Sequence, residues 1–350
     1  MFSFDALNDQ NRTFVIAEAG SNWKCGSFND DVDRAKQLIT IAAKSGADAV
    51  KFQVYRPETT YVPNAGISNY LSEHGIDENI TKIFEDLSMP YEMIPILAEY
   101  AEKQKIIFMA TPFSIKDAQQ IDPYVQIHKI ASFEINHVRL LEFLAKTKKP
   151  ILISTGASTY DEIDFAVNLV KKIHNRIVLL QCTSKYPAPI ESMNLSVIPQ
   201  MKSRYCIPVG FSDHSVDPLV APLTAIGFGA TVIEKHFTID RNLSGPDHGF
   251  ALTPNELELM ISSIRNTDKS KGTGNKEILK EEYELQKFAK RSIQAIKKIS
   301  KGEILTEGYN FDVLRPGNMT RGLEPRFLTQ INGKKAIKDL EIGEGILDYE

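Results

Sequence analysis

Cysteine is scarce in this chain. The three present, Cys25, Cys182 and Cys206, are odd in number and lack metal-ligand spacing. That excludes a disulfide framework and a cysteine-built metal site, and it reads as free thiols in a reducing compartment. An excess of either charge is also missing. Lys and Arg number 41 against 45 Asp and Glu, a formal net charge of -4, which gives no hint of a nucleic-acid surface. No apolar run approaches a membrane span. Met1–Asp5 has no basic stretch leading into an apolar one, so no signal peptide is read. The expectation is a cytoplasmic protein without a nucleic-acid or membrane partner. Apolar residues at 42% and charged residues at 25% are ordinary for a globular fold.

What the chain does have is a rhythm of short apolar runs, each closed by polar residues. Phe14-Val15-Ile16-Ala17-Glu18 is the first, and Ala49-Val50-Lys51-Phe52-Gln53-Val54 the second. Further runs end at Thr111, Ser132, Ser154, Ser184, His214 and His236. Helical periodicity separates them, for example at Val32–Ser45, Tyr91–Lys103, Val138–Lys146 and Asp161–Ile173. About eight such units closing near residue 265 predict an α/β fold, a (β/α)8 TIM barrel, because strands alternating with helices form a covered parallel sheet. Residues 56–90 interrupt the rhythm with Pro57, Pro63, Gly66 and Gly75, and read as an elaborated segment over the mouth with a short helix at Ile80–Leu87.

Active sites of such barrels lie at the C-terminal strand ends. The residues gathered there include Glu18, Lys51, Gln53, Thr111, Lys129, Ser132, Glu134, Ser154, Thr155, Thr183, Ser184, Tyr186, Ser212, Asp213, His214, His236 and Asp247. Lys51 and Gln53 alternate with apolar neighbours and so share the inward face, where a lysine is costly unless it meets an anion. Two lysines among hydroxyls suit a phosphate or carboxylate. His214 and His236 close consecutive strands and form a candidate divalent-metal pair, which as a Lewis acid polarises a carbonyl oxygen. Glu18, Glu134 and Asp247 are candidates to handle protons or sugar hydroxyls. Each of these residues also has a bland reading as a satisfied rim residue. One of the lysines could instead serve a Schiff-base aldolase.

After Arg265 the composition shifts. The catalytic barrel is read as 1–266, a Lys-, Glu-, Gly- and Asn-rich linker as 267–287, and a small β-rich module as 288–350. Within the module Arg291–Ile296, Ile299–Leu305, Phe311–Leu314 and Gly333–Ala336 are strand-like, with a tight turn at Lys301-Gly302.

Over nearly its whole length the sequence resembles the sialic acid (N-acetylneuraminate) synthases and the wider nonulosonic acid synthases. The resemblance rests on Ile16–Asn22, Lys51-Phe52-Gln53, Thr111–Ser114, Lys129–Glu134, Ser154-Thr155-Gly156, Gln181–Pro187, Gly210–His214, Glu234–Phe237 and Gly245-Pro246-Asp247. Lys301-Gly302-Glu303 and Leu314–Gly317 resemble that family's antifreeze-like SAF domain. The resemblance implies condensation of phosphoenolpyruvate with an N-acyl hexosamine such as N-acetylmannosamine. It implies manganese or magnesium on His214 and His236. Lys51, Thr111, Lys129, Ser132, Ser154, Ser184 and Ser212 would hold phosphoenolpyruvate. Glu134 would lie near the metal and the reacting water, and Glu18, Gln53, Tyr186 and Asp247 would hold the sugar. A domain-swapped homodimer is implied, with Arg315 reaching the partner's sugar. Two branch cues disagree: Ala131–Glu134 is similar to the pseudaminic acid branch, and Ser244–His248 to the neuraminic and legionaminic branches, which receives more weight. Asn22-Trp23 departs from the Asn-His usual after the first strand and bears on the sugar end of the site. The alternatives are a legionaminic or pseudaminic acid synthase and a non-catalytic sugar-binding relative, for which Trp23 is the main argument.

Overall fold

The computed structural model describes residues 2–68, 72 and 77–350. The chain forms two compact units, Met1–Gly272 and Thr273–Glu350.

The first unit is an eightfold alternation of strand and helix. Its strands are β1 (Phe14–Gly20), β2 (Ala49–Val54), β3 (Ile107–Pro112), β4 (His128–Ile130), β5 (Ile151–Ser154), β6 (Ile177–Cys182), β7 (Val209–Asp213) and β8 (Val232–His236). The outer helices are α1 (Phe28–Lys44), α2 (Met93–Lys103), α3 (Ile115–Ile121), α4 (Val138–Lys146), α5 (Tyr160–Lys171), α6 (Val197–Tyr205), α7 (Val220–Gly227) and α8 (Pro254–Ser270). Strand order runs β3-β2-β1-β8-β7-β6-β5-β4, all parallel, as a TIM barrel requires. The last seam is different. β3 and β4 pack side by side, but among the described residues no ladder joins them.

Local chemistry sets the helix starts. Ser27 and Asp30 form a capping box, and the helix therefore begins at Phe28, ahead of the Val32 that apolar periodicity alone picks out. Thr159 with Glu162 and Thr253 with Glu256 repeat the device for α5 and α8. Within the long β2–α2 connection, Ile80–Asp86 is helical, matching the expected short helix; residues 69–71 and 73–76 of that connection lie outside the described residues. α8 continues to Ser270, so residues 267–270 of the expected linker are helical.

Two apolar layers hold the barrel. One lies between strands and helices and includes Val15, Ala17, Val50, Phe52, Ile153, Leu179 and Phe211. The other fills the barrel floor with Phe14, Ile16, Ala49, Met109, Leu152, Val178, Leu180 and Val232, and Leu7 from an N-terminal 3-10 turn packs with them. Period-two alternation assigns neighbouring residues to the two layers. On the inward face the floor residues give way, towards the C-terminal strand ends, to buried charged and hydroxyl side chains.

The second unit pairs β9 (Ser292–Ala295) antiparallel with β10 (Phe311–Leu314). Ile293, Ile299, Leu305, Phe311, Leu340 and Ile346 form its own small core. Gly302 takes φ +84°, as the expected tight turn needs. Among the described residues Ile299–Leu305 and Gly333–Ala336, read as strands, make only isolated bridges, Ile299 with Leu340, Ile304 with Lys335 and Ala336 with Tyr349. The Tyr283–Ala289 stretch, which spans the end of the expected linker, is a short helix that buries none of its residues.

Candidate active site

The mouth is built strand by strand from inward-facing positions. Glu18, Lys51, Gln53, Thr111, Lys129, Ser132, Ser154, Tyr186, Ser212, His214 and His236 line one cavity, joined by Ala131, Cys182 and Glu234. A roomier groove of about 500 Å³ opens on the outer wall between α1 and α2. Two of its polar groups pair with each other, Thr40 Oγ1 with Tyr100 OH at 3.0 Å, and it gathers no set of titratable groups comparable to that of the mouth.

At the bottom of the mouth two ammonium groups and two carboxylates interlock. Lys51 Nζ lies 2.6 Å from Glu18 Oε2 and donates to Thr111 Oγ1 at 2.9 Å. Lys129 Nζ donates to Ser154 Oγ at 2.8 Å. Glu234 reaches both lysines more loosely, 3.8 Å from Lys51 and 3.6 Å from Lys129, and accepts from Ser212 Oγ at 2.9 Å. Gln53 Nε2 donates to Glu18 Oε1 at 3.2 Å. Burial opposes charge on all four ionisable groups, and proximity decides each outcome. For Glu234 the two ammonium groups outweigh burial and hold its carboxyl at about 2. Glu18 is pushed up to about 7 by burial, reinforced by the Glu234 charge and opposed by Lys51. Lys51 stays above the ordinary lysine range because Glu18 and Glu234 outweigh its burial, while burial brings Lys129 below it.

Glu234 is the residue sequence reasoning missed. Its signal was present: it alternates with Val232 and His236, so it shares their inward face. Cys182 also lies in the cavity lining, with its Sγ 3.8 Å from His214 Nδ1.

Above the lysines, hydroxyls crowd around Gly156. Its N–H donates to Ser132 Oγ at 3.0 Å. A Cβ there would stand 2.2 Å from Ser184 Oγ and 2.9 Å from Ser132 Oγ, so only glycine leaves those hydroxyls room. Ser184 Oγ and Glu134 Oε2 are buried with no hydrogen-bond partner among the described residues. Burial pushes the Glu134 carboxyl up to about 7, against the pull of Lys129.

The imidazoles stand on the other side of the mouth, ring centroids 5.6 Å apart. Tyr186 lies over His214 at 4.1 Å, and Phe250, also unforeseen, lies 5.0 Å from His236. His214 Nδ1 donates to the Thr183 carbonyl at 2.8 Å, which makes Nε2 the ring nitrogen available to a ligand. Burial, with His214 next to it, holds His236 well below the usual range and so neutral, and its Nδ1 is buried without a hydrogen-bond partner among the described residues. Among the described residues no group of three or more His, Cys, Asp or Glu side chains is placed to hold a metal. The donors present fit a two-imidazole site whose remaining positions are open to substrate and water.

Asp247 sits beside this pair. It accepts from Ser21 N at 2.9 Å and Ser21 Oγ at 2.8 Å, and its carboxylate presses on Gly20, where φ is +53°. Three residues counted into the mouth face elsewhere. Thr155 Oγ1 donates to Leu180 O, Thr183 Oγ1 to Ser192 O, and Asp213 pairs with Lys235. Arg315 follows β10 on the second unit and is exposed there. Trp23 is 1% exposed in the layer between strands and helices, so its indole is not offered to a sugar, and the argument for a mere binding protein loses its main support.

Fold and mouth together define a TIM-barrel protein whose mouth sets two buried lysines among hydroxyls beside an imidazole pair. Comparison with known proteins narrows the class. The chain belongs to the NeuB family, whose model matches residues 38–276, and residues 290–348 match a SAF domain. It is 38% identical to the spore coat polysaccharide biosynthesis protein SpsE of Bacillus subtilis, over 95% of this chain and 92% of that one. The crystal structure of that protein superposes with a TM-score of 0.63 at 36% identity, covering 96% of this chain and 94% of the other. It is 37% identical to the N,N'-diacetyllegionaminic acid synthase of Campylobacter jejuni, over 95% of this chain and 98% of that one. The N-acetylneuraminic acid synthetase of Leptospira borgpetersenii, solved with citrate, aligns at a TM-score of 0.69 and 33% identity over 79% of this chain and 90% of the other.

Proposed function

We propose that this chain is a nonulosonic acid synthase, which condenses phosphoenolpyruvate with the open-chain aldehyde of an N-acyl hexosamine such as N-acetylmannosamine and releases phosphate. The observation that carries this reading is the juxtaposition in one mouth of two lysines among many hydroxyls and a pair of imidazoles. Lys51 and Lys129, with Thr111, Ser132, Ser154, Ser184 and Ser212, hold the phosphate and carboxylate of phosphoenolpyruvate. Glu18, Gln53, Tyr186 and Asp247 hold the sugar beside it, with the aldehyde carbon facing carbon 3 of phosphoenolpyruvate. A carbon–carbon bond forms there, water adds at carbon 2, and the tetrahedral carbon sheds phosphate. Glu134, with its carboxyl near 7, exchanges a proton with that water. Mn2+ or Mg2+ held by His214 and His236 would supply Lewis-acid polarisation of the aldehyde oxygen.

The protein works as a domain-swapped homodimer in this proposal, and Arg315 serves the sugar in the partner's mouth. Mixing Arg315→Ala with His236→Ala subunits then restores part of the activity, and no recovery after verified subunit exchange refutes the swap. A phosphoenolpyruvate-consuming reaction also suits the cytoplasm, where three free cysteines stay reduced.

The relative of named sugar at 37% identity is a legionaminic acid synthase, which supports a di-N-acetylated 6-deoxy sugar as the second reading. Phosphate release from phosphoenolpyruvate with Mn2+ tests both. The sugar panel holds N-acetylmannosamine, its 6-phosphate, and the di-N-acetylated precursors of legionaminic and pseudaminic acids. Release with one sugar is expected and fixes the branch. A folded, Mn2+-binding protein that releases none with any of them overturns the proposal.

A further inference from the structure

We infer that Asp213 and Lys235, which face away from the mouth, set the spacing of the two imidazoles within it. The inference rests on the reading of His214 and His236 as a metal site. β7 and β8 run parallel in the register Ser212 with Glu234 and Asp213 with Lys235. Alternation then sorts the two tripeptides by face. Ser212 bonds Glu234 on the inside, Asp213 bonds Lys235 on the outside, and His214 meets His236 on the inside again.

The outer pair is a clamp rather than a simple ion pair. Lys235 Nζ lies 2.7 Å from Asp213 Oδ2 and also donates to the Ser215 carbonyl, to Ser215 Oγ at 3.0 Å and to the Asp217 carbonyl at 3.1 Å. Asp213 Oδ1 accepts from Ser215 N at 2.8 Å. Both chain neighbours of His214 are thus fastened to one ammonium group, which grows from the residue immediately before His236. Asp213 and Lys235 are each 1% exposed. A buried ion pair is a poor device for stability, since apolar replacements of similar volume are often as stable or more so. Its geometry here gives it a different use. It ties the backbone on both sides of one imidazole to the strand that carries the other.

The test is Mn2+ affinity of the full-length chain, read from the free-ion electron paramagnetic resonance signal, with melting temperature read alongside. Wild type is compared with His236→Ala, Asp213→Asn, the double variant Asp213→Asn/Lys235→Met, and Thr13→Val. Thr13 Oγ1 bonds Asp268 at 2.7 Å just before β1, so its variant reports general destabilisation. Asp213→Asn is expected to weaken Mn2+ binding about tenfold, the scale on which supporting groups act on a metal site. The double variant, free of an unpaired buried charge, recovers melting temperature but stays weak for Mn2+. Thr13→Val melts lower and binds Mn2+ as wild type does. A double variant that folds and binds Mn2+ like wild type overturns the inference, as does an equal loss of affinity in Thr13→Val. If wild type binds no Mn2+, or His236→Ala binds it equally well, the metal reading itself falls and takes the inference with it.

Discussion

The barrel interior has a floor and a mouth made by the same strands on the same face. Along β8 the inward side chains are Val232, Glu234 and His236, all at 6% exposure or less. Along β1 they are Phe14, Ile16 and Glu18, at 2% or less. Burial therefore does not separate the two regions; partners do. On the floor, apolar side chains satisfy one another. In the mouth each ammonium group meets a carboxylate or hydroxyl within 3 Å, and the few atoms left without a partner among the described residues, such as Glu134 Oε2, Ser184 Oγ and His236 Nδ1, mark where ligand atoms are expected.

The sharpest way to break this comparison is to move a charge downward. Val178→Lys puts an ammonium group on the floor with no counter-charge at its level, and is expected to cost at least about 4 kcal/mol. Little folded protein should be recovered, as judged by circular dichroism and gel filtration. The opposite change, Lys129→Met, removes a charge whose nearest carboxylate is 3.6 Å away. The chain should stay folded while kcat/KM for phosphate release falls about 10³-fold, a loss typical of one preorganised charge donor.

A smaller effect concerns Glu134, whose carboxyl rises from 4.5 to about 7 on burial. Between those values the folded chain holds a proton that the unfolded chain has released. The stability this contributes is complete below pH 4.5 and is lost as pH rises through 7, with a slope of at most about 1.4 kcal/mol per pH unit. Urea midpoints across pH 5 to 8 should fall for wild type and fall less steeply for Glu134→Gln, the remaining slope coming from Glu18; parallel curves would refute the assignment. Trp23→Phe is the mildest test. With its ring outside the mouth, it should change the KM for sugar less than about twofold while costing about 1 kcal/mol of stability.

The barrel and most of the mouth were legible because they depend on alternation along single strands. A lysine inside an apolar run can point only inward or outward, and Lys51 and Lys129 carry that signal within a few residues. Glu234 was overlooked because it lies beside Lys235, and one run then shows two charges of which only one faces in. Asp213 was counted into the mouth for the same reason: residues 212–214 are all polar, and register with β8 decides which one turns away. The α1 start was missed because a capping box acts through Ser27 and Asp30 rather than through apolar spacing. Trp23 defeated local reasoning altogether. A residue next to the site by number is buried core in space, and neighbouring residues in the sequence carry no signal of that.

Among the described residues seven of the eight strand junctions carry hydrogen-bonded ladders, and the junction of β3 with β4 does not. Mechanically the barrel is a split ring. Lys51 and Thr111 stand on one bank of the split, on β2 and β3, and Lys129 and Ser154 on the other, on β4 and β5. An anion gripped from both banks acts as a tie bar across the gap, so loading the site with phosphoenolpyruvate should damp the breathing of the ring and slow amide hydrogen exchange in β3 and β4 more than in β6 or β7.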